Sequence, residues 1–201
     1  MSRDSYTART AAPREGAPLI FAFHGTGADE TQFFDFAQSL VPGAGVVSPR
    51  DDVSEHGAAR FFRRKAEGVY DMDDLARATE KMVGFVSAWA EAYPGSPVYG
   101  FGYSNGANIL ASVMMAAPEL FERAALLHPL IPWAPDPVPE LAGARVLVTA
   151  GRRDPICPWP MTEGLIGWLS AQGAETTTTL HDGGHELRPE EAEAVARLMR
   201  A

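Results

Sequence analysis

The chain has 201 residues, 46% of them hydrophobic and 21% charged, which fits one globular domain or slightly more and excludes a largely disordered chain. Its 17 Lys and Arg stand against 26 Asp and Glu, a net charge of −9 that repels phosphate backbones and argues against nucleic-acid binding. Nineteen Gly and 16 Pro without a fixed period exclude a collagen-like rod.

The N-terminus, MSRDSYTARTAAPREGAP, lacks the apolar core of a secretory signal. A flexible N-terminal segment is expected over residues 1–17, followed by one domain over residues 18–201. Short apolar runs then alternate with longer helical patterns, the arrangement of a mostly parallel sheet covered on both faces. The expected strands are Leu19–Phe23, Gly45–Ser48, Val98–Phe101, Ala124–His128, Val146–Thr149 and Thr176–His181, the last a run of β-branched threonines. Helices are expected over Asp29–Leu40, Asp71–Tyr93, Ser104–Ala117, Met161–Gln172 and Pro189–Arg200. The longest has Asp71 as its cap, Asp74 as a capping-box partner, and apolar residues from Leu75 to Tyr93 at three- and four-residue spacing.

Two long segments read as irregular, Pro49–Tyr70 and the proline-rich His128–Glu140. Each follows an expected strand and so belongs at the carboxyl edge of the sheet, where open α/β folds place ligands. Phe61, Phe62, Leu130, Ile131 and Trp133 in these segments are expected to line an apolar pocket. Arg60, Arg63, Arg64 and Lys65 surround the two phenylalanines. They read as a solvated helix face, with pairing to Glu55 or Glu67, or contact with a substrate anion, as the alternatives.

Gly102-Tyr103-Ser104-Asn105-Gly106 lies between an expected strand and an expected helix, the context that gives a G-x-S-x-G its meaning. A strand reversing sharply into a helix strains its central residue and presses the flanking positions against backbone, so glycine is required there. A serine hydroxyl needs a base. His185, in His181-Asp182-Gly183-Gly184-His185-Glu186, follows the last strand, and Asp154 follows the strand before it. The order Ser104, Asp154, His185 is that of an α/β-hydrolase. His181 competes with His185, and Asp182 and Asp136 with Asp154. A His181/His185 metal pair lacks a third ligand in context, so neither a metal nor a cofactor is expected. Oxyanion donors are expected from the backbone of Asn105 and of Thr26, with Gly27 as the alternative to Thr26. His24 reads as a residue that shapes this loop, and Cys157 as packed rather than nucleophilic. The glycine patterns starting at Gly25 and Gly100 leave the dinucleotide fingerprint incomplete.

Together HGTGAD, GYSNGAN, GRRDPICP and HDGGHEL resemble the phospholipase/carboxylesterase group of small α/β-hydrolases, which includes acyl-protein thioesterases. SEHGAARFFRRKAEGVYD resembles a bacterial carboxylesterase branch. The resemblance spans about Pro18 to Arg200. It implies an α/β-hydrolase fold with a mostly parallel sheet of six or seven strands and no large lid domain, and cofactor-free hydrolysis of carboxylic esters or thioesters. By it, Ser104, Asp154 and His185 carry over as the triad, and Thr26 and Asn105 as oxyanion donors. Thioesterase members usually carry Gln at the position of Asn105.

The expected partner is a small-molecule ester, with thioesterase or lysophospholipase activity on the same triad as the alternative and a non-catalytic binding protein as the different-class reading. The lone Cys157 cannot form an internal disulfide and no apolar run is long enough to span a membrane, so a cytoplasmic protein is expected; monomer and homodimer both stay open.

Overall fold

Each expected strand run forms, and one further strand joins them. A computed structural model describes residues 2–201. Its central sheet contains β1 (Ala8–Ala11), β2 (Leu19–Phe23), β3 (Gly45–Pro49), β8 (Val98–Tyr103), β9 (Arg123–Leu127), β10 (Arg145–Gly151) and β11 (Glu175–His181). Two hairpins lie outside it: β4 (Val53–Glu55) with β5 (Ala58–Arg60), and β6 (Arg64–Ala66) with β7 (Val69–Tyr70). The sheet order is β1-β3-β2-β8-β9-β10-β11, parallel throughout except where β1 pairs antiparallel with β3. Residues ahead of Pro18 therefore supply an edge strand. Ala-Arg-Thr-Ala is short and half exposed, so it carries no hydrophobic signal of its own.

Five helices cover the sheet: α1 (Phe34–Leu40), α2 (Met72–Ala92), α3 (Asn105–Ala116), α4 (Trp159–Ala171) and α5 (Pro189–Arg200). Alternate residues of a strand face opposite sides. Thus Leu19, Phe21 and Phe23 pack with Met82 and Phe85 of α2 and Ile109 and Leu110 of α3, while Ile20 and Ala22 pack with α1 and α5. Both faces of β2 are buried, which explains its unbroken apolar run.

Three local expectations are corrected. Helix α1 begins at Phe34 and not at Asp29, because Asp29 Oδ1 accepts hydrogen bonds from Thr31 N–H (2.8 Å) and Thr31 Oγ1 (2.6 Å), an Asx turn that competes with helix. At α2, Asp71 caps Asp74 N–H as expected (3.3 Å), but Asp74 does not return the bond. Its carboxylate is buried and accepts from Arg63 N–H (2.7 Å) and Arg77 Nε (2.8 Å), tying the preceding segment to the helix. The expected arginine-rich helix face is likewise absent: Arg60 ends β5 and Arg64 begins β6.

Two asparagines one turn apart on α3 pin both long segments. Asn105 Oδ1 accepts from Phe61 N–H (2.7 Å). Asn108 Oδ1 accepts from Leu130 N–H (2.7 Å), and its Nδ2 donates to the Tyr70 hydroxyl (2.7 Å). The loop after β2 is pinned by His24, whose Nδ1 faces the Gly25 carbonyl (2.9 Å) and whose Nε2 accepts from Asp51 N–H (3.2 Å). That pattern requires the neutral ring protonated on Nδ1, and burial holds His24 below its ordinary value. The Asp51 Oδ2 has no hydrogen-bond partner among the described residues. Burial, reinforced by the Asp52 charge, pushes Asp51 up to about 7.

The turn from β8 into α3 leaves no room for side chains at its flanks. A Cβ on Gly102 would overlap the Gly106 carbonyl, and one on Gly106 would overlap the Phe23 and His24 carbonyls. Between them Ser104 sits at φ 54° and ψ −117°, outside the regions open to most residues. Because backbone cannot yield as a side-chain tip can, Gly106→Ala is expected to lower the free energy of urea unfolding by about 3 kcal/mol; an unchanged midpoint would refute the overlap. Between about pH 4 and 7 the folded chain retains an Asp51 proton that the unfolded chain releases, so this group costs stability as pH rises. Asp51→Asn should therefore raise Tm relative to the native chain more at pH 8 than at pH 5, and an equal effect at both would show that Asp51 does not titrate there.

Candidate active site

Three loops at the carboxyl edge of the sheet, after β8, β10 and β11, converge on one place, with β9 between the first and the second. Ser104 follows β8 directly, Asp154 lies three residues beyond β10, and His185 four beyond β11. Ser104 N–H donates to Leu127 O (2.9 Å), which locks the β8 turn to β9. The Tyr103 hydroxyl donates to His185 O (2.6 Å) and holds the loop after β11 over that turn.

These placements bring Ser104 Oγ to 2.9 Å from His185 Nε2, and His185 Nδ1 to 2.7 Å from Asp154 Oδ2. A carboxylate only accepts, so the Asp154 contact places the imidazole proton on Nδ1 and leaves the Nε2 lone pair facing the serine hydroxyl. Asp154 Oδ1 accepts from Ile156 N–H (2.8 Å) and Cys157 N–H (2.9 Å). Burial pushes this carboxyl up, but the Cys157 amide and the imidazoles of His128 and His185 outweigh it and hold Asp154 below the usual carboxylate range. Such a site can pass a proton from Ser104 to His185 while the carboxylate stays charged.

Thr26 and Asn105 both line the cavity beside Ser104. Gly27 N–H is occupied by Ala59 O (2.9 Å), whereas neither Thr26 N–H nor Asn105 N–H donates to a protein acceptor among the described residues. Of the two amides weighed in the loop after β2, the open one is thus that of Thr26. Its Oγ1 accepts from Arg60 Nη1 (2.9 Å).

The cavity beside Ser104 has a volume of about 280 Å³ and is lined by Thr26, Arg60, Arg64, Tyr70, Leu130 and Cys157, among others. Of the five residues expected to line an apolar pocket, Leu130 does. Phe61 and Phe62 instead lie wholly in the core, with Phe61 against Phe23 and His24, and Phe62 against Tyr70. The bond from Phe61 N–H to Asn105 sets this segment so that Arg60 and Arg64, not the phenylalanines, reach the cavity. Ile131 and Trp133 lie on a separate groove with Met161, Leu165 and Trp168. The cavity is therefore more polar than the sequence suggests. Its arginines are paired: Arg60 with Glu55 (3.2 Å), Arg64 with Glu55 (2.9 Å) and Glu67 (2.5 Å).

The competing residues serve elsewhere. His181 is buried at the end of β11, where Nδ1 accepts from Gly183 N–H (3.0 Å). The Asp182 carbonyl binds Arg153, and Asp136 lies on the rim of a groove with Trp133. Cys157 is buried, its Sγ 3.2 Å from His128 O, and burial pushes its thiol well up.

Sequence reading missed His128 and Glu191. His128, directly after β9, places Nδ1 2.9 Å from Asp154 Oδ2 and Nε2 3.0 Å from Glu191 Oε1. A histidine at the carboxyl end of a core strand was a usable signal; Glu191, three residues into α5, looks only like a helix-start acid. Ligand atoms of His128, His181 and Glu191, and of His128, Asp154 and His185, lie within 4.8 Å of one another, a spacing that a metal ion also tolerates. The contacts of 2.7–3.0 Å from His128 and His185 to the carboxylates are, however, those of hydrogen bonds made directly between them.

Comparison with known proteins agrees with the fold. No family model matches the chain. It is 36% identical over 177 residues to MhqD of Bacillus subtilis, named as a hydrolase, covering 87% of this chain and 88% of that protein. The crystal structure of Atu2452 from Agrobacterium tumefaciens, a protein of unknown function, superposes with a TM-score of 0.95 at 55% identity, covering 100% of this chain and 98% of the other. A Bacillus cereus carboxylesterase superposes with a TM-score of 0.91 at 32% identity, over 97% and 93% of the two chains. Among the described residues no helix is long and apolar enough to cross a membrane. With its seven-stranded, mostly parallel sheet and these relatives, the chain is a hydrolase and belongs to the phospholipase/carboxylesterase group of small α/β-hydrolases.

Proposed function

We propose that the protein is a cytoplasmic serine esterase acting on small, neutral carboxylic esters. The reading is supported by the unbroken hydrogen-bonded line from Ser104 through His185 to Asp154. Ser104 Oγ attacks the ester carbonyl as His185 Nε2 takes its proton, and Asp154 stabilises the imidazolium without being protonated. The N–H groups of Thr26 and Asn105 receive the oxyanion. The C–O bond to the alcohol breaks, His185 protonates the leaving oxygen, and an acyl group remains on Ser104. Water then repeats the sequence, giving up its proton to His185, releasing the acid and restoring the serine.

Size and charge of the cavity support the substrate class. About 280 Å³ accommodates a short acyl group. The charges of Arg60 and Arg64 are balanced by those of Glu55 and Glu67, so the site offers a neutral ester more than an anionic one.

A fluorophosphonate should leave one adduct, on Ser104, located by peptide mass spectrometry and abolished by His185→Ala. Ser104→Ala should lower kcat for p-nitrophenyl acetate by about 10⁶-fold and Asp154→Asn by about 10⁴-fold. A folded chain with neither adduct nor turnover would overturn the esterase reading in favour of a ligand-binding protein, and faster turnover of thioesters would move it to the thioesterase branch. The acetate should also outpace the p-nitrophenyl monoester of succinic acid. Glu67→Gln, which leaves Arg64 less neutralised, should raise kcat/KM for the succinyl ester by roughly threefold or more while leaving acetate unchanged; equal effects on both would separate these charges from specificity.

A further inference from the structure

We propose that His128 and Glu191 are positioning residues for this chemistry, with His128 held as an imidazolium between two buried carboxylates so that it shares the charge of Asp154 with His185. The proposal rests on the reading of Ser104, His185 and Asp154 given above. Its basis is donor arithmetic. His128 Nδ1 faces Asp154 Oδ2 at 2.9 Å and Nε2 faces Glu191 Oε1 at 3.0 Å, and the ring is fully buried. Both partners are carboxylates, so satisfying both contacts requires a proton on each ring nitrogen. Glu191 is itself met by donors: Thr149 Oγ1 on Oε1 (2.5 Å) and Arg188 N–H on Oε2 (2.7 Å).

Other groups around the ring do not reverse this. From β8, Tyr103 meets the ring edge-to-face at 5.9 Å between centroids; from the end of β11 and its loop, His181 and His185 lie at 5.5 and 5.2 Å; Cys157 approaches the His128 carbonyl, not its ring. His181 Nε2 faces Glu191 Oε2 at 3.4 Å. Burial works against a charged His128, but the bonds to Glu191 and Asp154 prevail and hold it above its ordinary value; the same bond, with Thr149, holds Glu191 below the carboxylate range. His128 also has φ 51°, a left-handed backbone rare for a non-glycine residue, which the surrounding bonds sustain.

Taking Glu191 and Asp154 as anions and His128 as a cation, the group carries one negative charge, and Asp154 attracts a proton on His185 less than an unshared carboxylate would. Removing the His128 charge therefore makes His185 hold its proton to higher pH. In Glu191→Gln, His128 gives up one proton and still donates Nδ1–H to Asp154. In His128→Asn, an amide donor remains near the Nδ1 position, and Asn tolerates the left-handed backbone.

The test is the pH profile of kcat/KM for p-nitrophenyl acetate from pH 5 to 9 in the native chain, Glu191→Gln and His128→Asn. The acid limb is expected to move up in both variants, by roughly one unit in His128→Asn, the size of shift expected from losing a neighbouring like charge, and by less in Glu191→Gln, where the Glu191 anion is lost together with the His128 cation. A lowered plateau with an unmoved limb would overturn the proposal, because a merely structural role alters amount and rate but not the titration. Nitrogen-15 NMR of the native chain decides the matter should neither variant fold: His128 is expected to keep both ring nitrogens protonated at pH 8, and a neutral ring overturns it. Turnover that Ser104→Ala abolishes, with unmoved limbs, defeats this inference alone. A native chain without turnover defeats the esterase reading and this inference with it.

Discussion

A carboxylate removed from water must be met by donors, and Asp154 is met by four. Its own loop supplies Ile156 and Cys157 N–H, the end of β9 supplies His128, and the loop after β11 supplies His185. A buried charge without partners is strongly destabilising. These segments must therefore close around Asp154 for the edge of the sheet to form, and the position of His185 over Ser104 follows from that closure.

The second anchor is Glu191, buried on α5 and bonded to Thr149 of β10 and to His128. A helix that covers one face of the sheet is thereby coupled to the edge that carries Ser104. Asn105 and Asn108 do the corresponding work on the other face, one turn apart on α3, by holding the backbone of Phe61 and Leu130. Amide side chains suit this task because the oxygen of each accepts from a backbone N–H that has no strand to pair with.

Polarity near Ser104 follows from these anchors. With Phe61 and Phe62 turned into the core, the hairpins flanking them present Arg60 and Arg64, each matched by glutamate. Paired arginines line the cavity with their charges matched by Glu55 and Glu67. The apolar groove at Ile131 and Trp133 lies apart from it, so the proline-rich segment contributes Leu130 to the cavity and its remaining hydrophobic surface elsewhere.

Much of this was legible in the chain itself. Strands buried on both faces appear as continuous apolar runs, as in Leu19–Phe23, and α2 shows its period over many turns; both signals are local and so survive without a fold. The glycines at 102 and 106 mark a turn whose backbone contacts exclude a Cβ, and the order Ser104, Asp154, His185 follows the order of strands that deliver them. What needed the tertiary structure is whatever depends on pairing between distant residues. Ala8–Ala11 is a strand only because β3 offers it an edge; Asp74 serves Arg63 and Arg77 rather than its own cap; Phe61 faces inward because Asn105 holds its amide. His128 and Glu191 meet across 63 positions of sequence. Composition and periodicity record which faces are apolar, but a buried hydrogen bond is decided by which two groups the folded backbone brings within reach, and that is a property of the assembled sheet alone.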